Sequence, residues 1–283
     1  MFAHHAILMG WPQRLLLMLA LLLASCGSGH NAKAEMLAHP DRVGAMIEYF
    51  AVKPDGAGPW PTLVFLHGHQ DAMSRIGGRA FVDWGVLERY SKRGFLAVSV
   101  SLPGYGKSDG PADFAGPFSQ HAVQAVIGEL KARRMADPKR VLIEGISLGA
   151  VTGALVAARE PDLAGLVLIS GLYDLPDFLA APKTPAAMGI KLAATNQTGG
   201  SLAALRSRSA LFVASDIKAN TLIINGAKDD RTDPDQAKRF AVAIAASGGR
   251  ATAHIFPDFG HQIPVKARDA EIDAFIDAEL LSL

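Results

Sequence analysis

The residues Gly145-Ile146-Ser147-Leu148-Gly149 set a hydroxyl between two glycines at the spacing G-x-S-x-G. A serine carried on a sharp strand-to-helix turn has its hydroxyl exposed, and bulk on either side would block the turn or an approaching substrate. Ser147 is therefore the candidate nucleophile. A chain with 28 glycines can produce this pattern as a turn without chemistry, so its weight comes from its surroundings. An active serine needs a base, a group that orients the base, and donors for the oxyanion. Asp229 stands three residues beyond Gly226, where the apolar run Thr221-Leu222-Ile223-Ile224-Asn225 ends. His261 closes the loop Pro257-Asp258-Phe259-Gly260-His261, after the strand-like run 251–256 and before a final amphipathic stretch. His67-Gly68-His69-Gln70 follows another apolar run, Thr62-Leu63-Val64-Phe65-Leu66, and offers backbone N–H groups.

Each assignment has rivals of the same chemistry. Asp230 and Asp233 share the loop with Asp229, and Asp174 follows the strand-like run 166–172. His254 falls inside a strand run, where a histidine is more often packed or at an edge, and His121 falls on a solvated helix. His67 and His69 form an H-x-H pair that could ligate zinc on an extended segment, but no third ligand cluster at metal spacing accompanies them. We read His67 as a residue that shapes its loop and expect no metal.

These side chains need a scaffold that brings strand ends together. Arg140-Val141-Leu142-Ile143-Glu144 reads as a buried strand before the serine turn, and the small residues of 150–159 read as the helix after it. Strand-like and helix-like runs alternate from about Val43 onward, which predicts an α/β fold with a mostly parallel sheet and helices on both faces. Residues 177–218 stand outside the alternation. They carry Pro182, Pro185 and the punctuation Thr198-Gly199-Gly200-Ser201, and read either as a small cap over the site or as a surface excursion.

The order Ser147, Asp229, His261, with a His-Gly loop upstream, resembles the α/β-hydrolase superfamily from about Arg42 onward. The stretch 209–240, and the loop Pro103-Gly104-Tyr105-Gly106-Lys107-Ser108, are similar to the catalytic domain of prolyl oligopeptidases and the dienelactone-hydrolase-like group. Leu148 and Ala150 stand where those peptidases commonly carry an aromatic residue and a glycine, and the nucleophile is serine where dienelactone hydrolases use cysteine. The resemblance implies that Ser147 attacks an acyl carbonyl and His261 relays its proton. Asp229 would fix the imidazole, and the backbone N–H groups of Leu148 and His69 would form the oxyanion hole.

Arg14 followed by the apolar run 15–23 and Ala24-Ser25-Cys26 looks like a secretory signal peptide, too short to span a bilayer comfortably. Leu23-Ala24-Ser25-Cys26 resembles a bacterial lipobox, with Cys26 lipidated as the first mature residue, and Cys26 is the only cysteine in the chain. The expected organisation is a lipoprotein signal peptide at 1–25, a flexible tether at 26–35 and a hydrolase domain at 36–283. The expected location is the bacterial cell envelope, at the outer membrane or periplasmic face, with Gly27 favouring the outer membrane.

Removing 25 residues from 283 leaves 258, enough for one hydrolase domain with a sizeable core. A net charge of +1 gives no electrostatic case for nucleic acid, and Lys131, Arg133 and Arg134 read as a solvated helix face. The leading expectation is a lipid-anchored carboxylesterase that needs no cofactor, since a stand-alone domain without a gating domain would admit varied esters. The alternatives are a serine peptidase or aminoacyl-amide hydrolase acting on short peptides, and a non-catalytic envelope lipoprotein that kept the fold.

Overall fold

The alternating apolar runs become strands buried on both faces. In β3 (Trp60–Leu66), Val64 and Leu66 point into one core cluster while Leu63 and Phe65 point into the other, which is the period of two that a strand imposes. The same division recurs in β5 (Ala136–Ile146), with Val141 and Ile143 on one side and Leu142 on the other, and in β6 (Gly165–Ile169) and β7 (Asn220–Gly226). Each such side chain taken fully out of water contributes roughly 1.5–3 kcal/mol, so these central strands hold much of the folding energy.

The computed structural model describes residues 32–71 and 73–281. The expected signal peptide, the lipidation residue Cys26 and most of the expected tether lie outside them. Together with β1 (Ala34–Ala38), β2 (Met46–Val52), β4 (Leu96–Val100) and β8 (Ala251–Phe256), the strands form one sheet in the order β1-β2-β4-β3-β5-β6-β7-β8. From β4 to β8 all pairs are parallel, as expected, whereas β1 and β2 pair antiparallel with each other and β2 pairs antiparallel with β4.

Two residues expected in the tether lie in a strand. Ala34 and Glu35 already belong to β1, paired with Phe50 and Tyr49. Glu35 accepts a hydrogen bond from the Tyr49 hydroxyl at 2.8 Å and from Arg133 at 2.8 Å, so a polar stretch that looked solvated is tied down by partners 14 and 98 residues away. Arg133 and Lys131, expected on a solvated face, both pair with acids, Lys131 with Glu160 at 3.6 Å.

One face is covered by α3 (Pro117–Ala132), α4 (Leu148–Ala157) and α8 (Pro234–Ala246), and the other by α1 (Arg79–Asp83), α2 (Val86–Ser91) and α9 (Val265–Leu280). Residues 177–218 supply most of α5 (Leu175–Ala180), then α6 (Pro185–Thr198), α7 (Leu202–Arg206) and a 3-10 turn (Ala210–Asp216), all between β6 and β7. No helix among the described residues is long and apolar enough to cross a membrane.

The connections after β3 and β5 leave toward opposite faces, so the carboxyl ends of these neighbouring strands part and open a crevice. Ligands of open parallel sheets bind at such a point. The register pairs Leu66 with Gly145, which sets the loop beginning at His67 directly beside Ser147.

Candidate active site

Ser147 sits between β5 and α4 with φ 54° and ψ −114°. A non-glycine residue held there costs about 1–3 kcal/mol of backbone strain, and the flanking glycines make the turn feasible. A Cβ on Gly145 would stand 2.3 Å from the Gly149 carbonyl oxygen, and one on Gly149 would stand 2.1 Å from that of Leu66. The turn is thus pressed against the end of β3, with Ser147 N–H donating to Ile169 at 2.8 Å.

The structure brings the three expected side chains together. His261 Nε2 lies 3.1 Å from Ser147 Oγ, and His261 Nδ1 lies 3.0 and 3.1 Å from the two Asp229 oxygens. A carboxylate only accepts, so Nδ1 carries the proton and Nε2 is free to accept from the serine hydroxyl. Burial alone would raise the Asp229 pKa. The hydrogen bond from His261 and those from the Thr232 hydroxyl and backbone outweigh it, and the carboxyl lies below its ordinary value. Its Oδ1 accepts from the Arg231 and Thr232 N–H groups at 2.8 and 2.9 Å, and its Oδ2 from Thr232 Oγ1 at 2.6 Å and Asn225 Nδ2 at 3.1 Å.

The loops that carry Asp229 and His261 are stitched to each other. Ala227 N–H donates to Phe256 and Lys228 N–H to Phe259, at 2.8 and 2.9 Å. Gly226 permits this, because a Cβ there would lie 2.3 Å from the carbonyl oxygens of Phe259 and Gly260. The His261 carbonyl is held by Ser170 Oγ at 2.9 Å. Four of the rivals are engaged elsewhere. Asp233 caps α8, Asp174 caps α5, His254 binds Glu271 and stacks on Phe256, and His121 binds Asp41.

Leu148 opens α4, so its N–H belongs to the unpaired donors of a first helical turn. Gly68 lies against the elbow, where a Cβ would come within 3.2 Å of Ser147 Cβ, and His69 follows it. His67 is a strut. Its Nδ1–H donates to the Gly68 carbonyl at 2.8 Å and its Nε2 accepts from Leu102 N–H at 3.1 Å. Complete burial holds its pKa down at about 4, so the ring is neutral. His69 Nδ1 and the Tyr105 hydroxyl are hydrogen-bonded at 2.8 Å. Among the described residues, no group of three or more metal-ligating side chains is assembled.

A cavity of about 1100 Å³ opens over the serine and reaches to both faces of the sheet. On one side it is lined by Leu148, Val151 and Leu172 and by Ala186, Ile190 and Ala193, so the segment expected as a cap or as a surface excursion does border the site through α6. On the other side it is lined by Ala80, Phe81 and Trp84 and by Ile263, Val265 and Arg268. Sequence reasoning missed Thr232, Asn225, Ser170 and Arg268. Thr232, three residues beyond the acid, and Asn225, four before it, stood close enough in the chain to be sought.

The prolyl oligopeptidase family model matches residues 119–280, more than half of the chain. The chain belongs to the prolyl oligopeptidase family. The model for X-Pro dipeptidyl-peptidase of the S15 family also matches, over residues 44–181. The serine-hydrolase class expected from the sequence agrees with membership of the prolyl oligopeptidase family. An uncharacterized peptidase, YuxL, of Bacillus subtilis (strain 168) is 24% identical over 238 residues, covering 78% of this chain and 34% of its own. The acylaminoacyl peptidase of Pyrococcus horikoshii superposes with a TM-score of 0.74 at 18% identity, covering 93% of this chain and 44% of that one. The Pyrococcus furiosus esterase Pf2001 superposes with a TM-score of 0.66 at 16% identity, covering 98% and 97%. The chain spans about a third of the length of YuxL and under half of the acylaminoacyl peptidase, and at these identities the structural likenesses speak for the α/β-hydrolase fold.

Proposed function

We propose that this protein is a serine peptidase or aminoacyl-amide hydrolase that acts on short peptides through Ser147, His261 and Asp229. The observation that carries the reading is the unbroken relay of 3.1 and 3.0 Å from Ser147 through His261 to Asp229, in a chain of the prolyl oligopeptidase family. Family membership favours this alternative over the carboxylesterase expected first.

In the proposed reaction Ser147 Oγ bonds to the acyl carbon while its proton passes to His261 Nε2. The carbonyl oxygen gains the negative charge and is met by the N–H groups of Leu148 and His69. His261 then gives the proton to the amine nitrogen as the C–N bond breaks, and amide chemistry depends on this step because an unprotonated amine leaves poorly. Water attacks the acyl-enzyme with His261 again as base, releasing a carboxylic acid and restoring the serine.

The test is labelling by a fluorophosphonate probe, followed by comparison of aminoacyl anilides with the matching esters. Labelling that disappears in Ser147→Ala and His261→Ala, with anilide turnover, is the expected result. Labelling with ester turnover alone would return the carboxylesterase reading, and a folded wild type that takes no label would point to the non-catalytic lipoprotein.

We also propose that the protein is held in a bacterial envelope by a lipid on Cys26, supported by the apolar run 15–23 and the Leu23-Ala24-Ser25-Cys26 sequence. A clickable fatty-acid analogue fed to expressing bacteria should mark the wild type and not Cys26→Ser. Equal marking of both would remove the anchor.

A further inference from the structure

The cavity reaches both faces of the sheet, and the wall that continues from His261 along the chain is lined by Ile263, Val265 and Arg268. A leaving group takes its proton from His261, so a group held on that wall stays beside its acid. Arg268 is the unusual member of that wall. Its side chain is 12% exposed, and among the described residues none offers a hydrogen-bond acceptor to its fully buried Nε and Nη1. A guanidinium in this condition is costly, because burial removes water from its N–H groups and no hydrogen bond replaces it.

The neighbouring acids are committed elsewhere. Asp269 binds Arg89, Asp273 binds both Arg89 and Arg93, and Asp277 binds Arg93. Tyr90 also donates to Asp273, at 2.8 Å. What remains is Glu144, whose Oε1 stands 4.0 Å from Arg268 Nη1, beyond hydrogen-bonding distance, and whose own Oε2 has no partner. Burial drives the Glu144 pKa up to about 7 against the pull of Arg268, so near neutrality it is an incomplete counter-charge. Arg268 lines the cavity, and its third nitrogen, Nη2, is neither hydrogen-bonded nor among the fully buried atoms, so the guanidinium meets the cavity with an unused donor, which suits one ligand chemistry well, a carboxylate.

We propose that Arg268 receives a carboxylate carried by the leaving group, so that the preferred substrate is a short peptide cleaved near its free C-terminus. This assignment rests on the peptidase reading. Glu144 precedes Ser147 by three residues on β5, roughly 10 Å along a strand, and Arg268 stands beside Glu144. That reach corresponds to a leaving group of two to three residues at about 3.3–3.6 Å each. The released fragment takes its amine proton from His261 and keeps its carboxylate on Arg268, while the acyl part stays on Ser147 until water removes it.

The experiment compares N-acetylated tetrapeptides made as free acids with the same peptides made as carboxamides, using wild type, Arg268→Gln and Arg268→Lys. Wild type should favour the acids by about 10-fold or more in kcat/KM, with the difference mainly in KM. Arg268→Gln should bring the acid-to-amide ratio close to one, and Arg268→Lys should keep part of it. In wild type alone, the dipeptide Ala-Ala should slow fluorophosphonate labelling of Ser147, and Ala-Ala amide should not, which tests the site even if the variants fold poorly. Turnover of acids and amides at equal rates, or equal protection by both dipeptides, overturns the Arg268 assignment and leaves the peptidase reading standing. Wild type that takes the label but cleaves neither peptide series overturns the peptidase reading, and the assignment with it.

Discussion

The hydroxyl of Tyr105 is hydrogen-bonded to His69 Nδ1 at 2.8 Å, so one buried side chain from a separate loop holds a residue of the loop beside Ser147. Tyr105 comes from the Pro103–Ser108 loop, which is itself pinned where buried Glu48 accepts from Lys107 N–H and Ser101 Oγ at 3.0 and 2.7 Å. The proposed oxyanion donor, His69 N–H, is therefore aimed from outside its own loop. Tyr105→Phe keeps the ring and removes this bond. We expect kcat to fall about 10-fold, as for a lost bond worth roughly 1.4 kcal/mol, with KM little changed. Steady-state kinetics showing a KM effect alone would deny Tyr105 this positioning role.

Replacing Asp229 with Asn removes the acceptor that keeps the proton on His261 Nδ1. The expected loss in kcat is about three to four powers of ten, with fluorophosphonate labelling slowed in parallel. Asp233→Ala, only four residues away, should leave kcat near wild type and lower stability by about 1 kcal/mol, because Asp233 caps α8. A larger kinetic loss in Asp233→Ala than in Asp229→Asn would reverse the assignment of the acid.

Gly149→Ala should destabilise the fold by about 3 kcal/mol or more, since the added methyl would meet the backbone oxygen of Leu66 and β3 cannot retreat without breaking its pairing. Urea unfolding would read this directly. A midpoint within error of wild type would mean that the elbow is looser than its packing implies.

The buried strut His67 makes stability depend on pH. Its pKa is lowered from 6.5 to about 4 in the folded protein, so between those values the unfolded chain binds the proton more readily. The stability is therefore complete above about pH 6.5 and is lost as pH falls toward 4, by on the order of 3 kcal/mol. Asp229, also lowered, contributes in the same direction but only below its unfolded value near 3.8. Denaturant melts of wild type and His67→Gln at pH 7.5 and 5 should show a smaller pH difference in the variant. Identical differences would mean that His67 titrates freely.

Local pattern made much of this protein readable from its residues. The apolar runs at 62–66, 140–144 and 221–225 are strands because branched side chains at a period of two must be buried on both sides, and Gly145 and Gly149 announce a turn that larger residues would forbid. The order of Ser147, Asp229 and His261 was legible because each follows a strand, and parallel strands deliver their carboxyl ends to one edge. Tertiary structure decided the rest, where the relevant distance runs through space. Ala34 and Glu35 look like tether until Tyr49 and Arg133 close on them. Asp229 is separated from Asp230 and Asp233 by the seam between Gly226 and Phe259, which no single stretch of chain encodes. Arg268 reads as one more charge on an amphipathic helix until β5 sets Glu144 beside it and the folded sheet takes away its water. Periodicity records which side of an element is buried, whereas the partner met there depends on how all the elements pack.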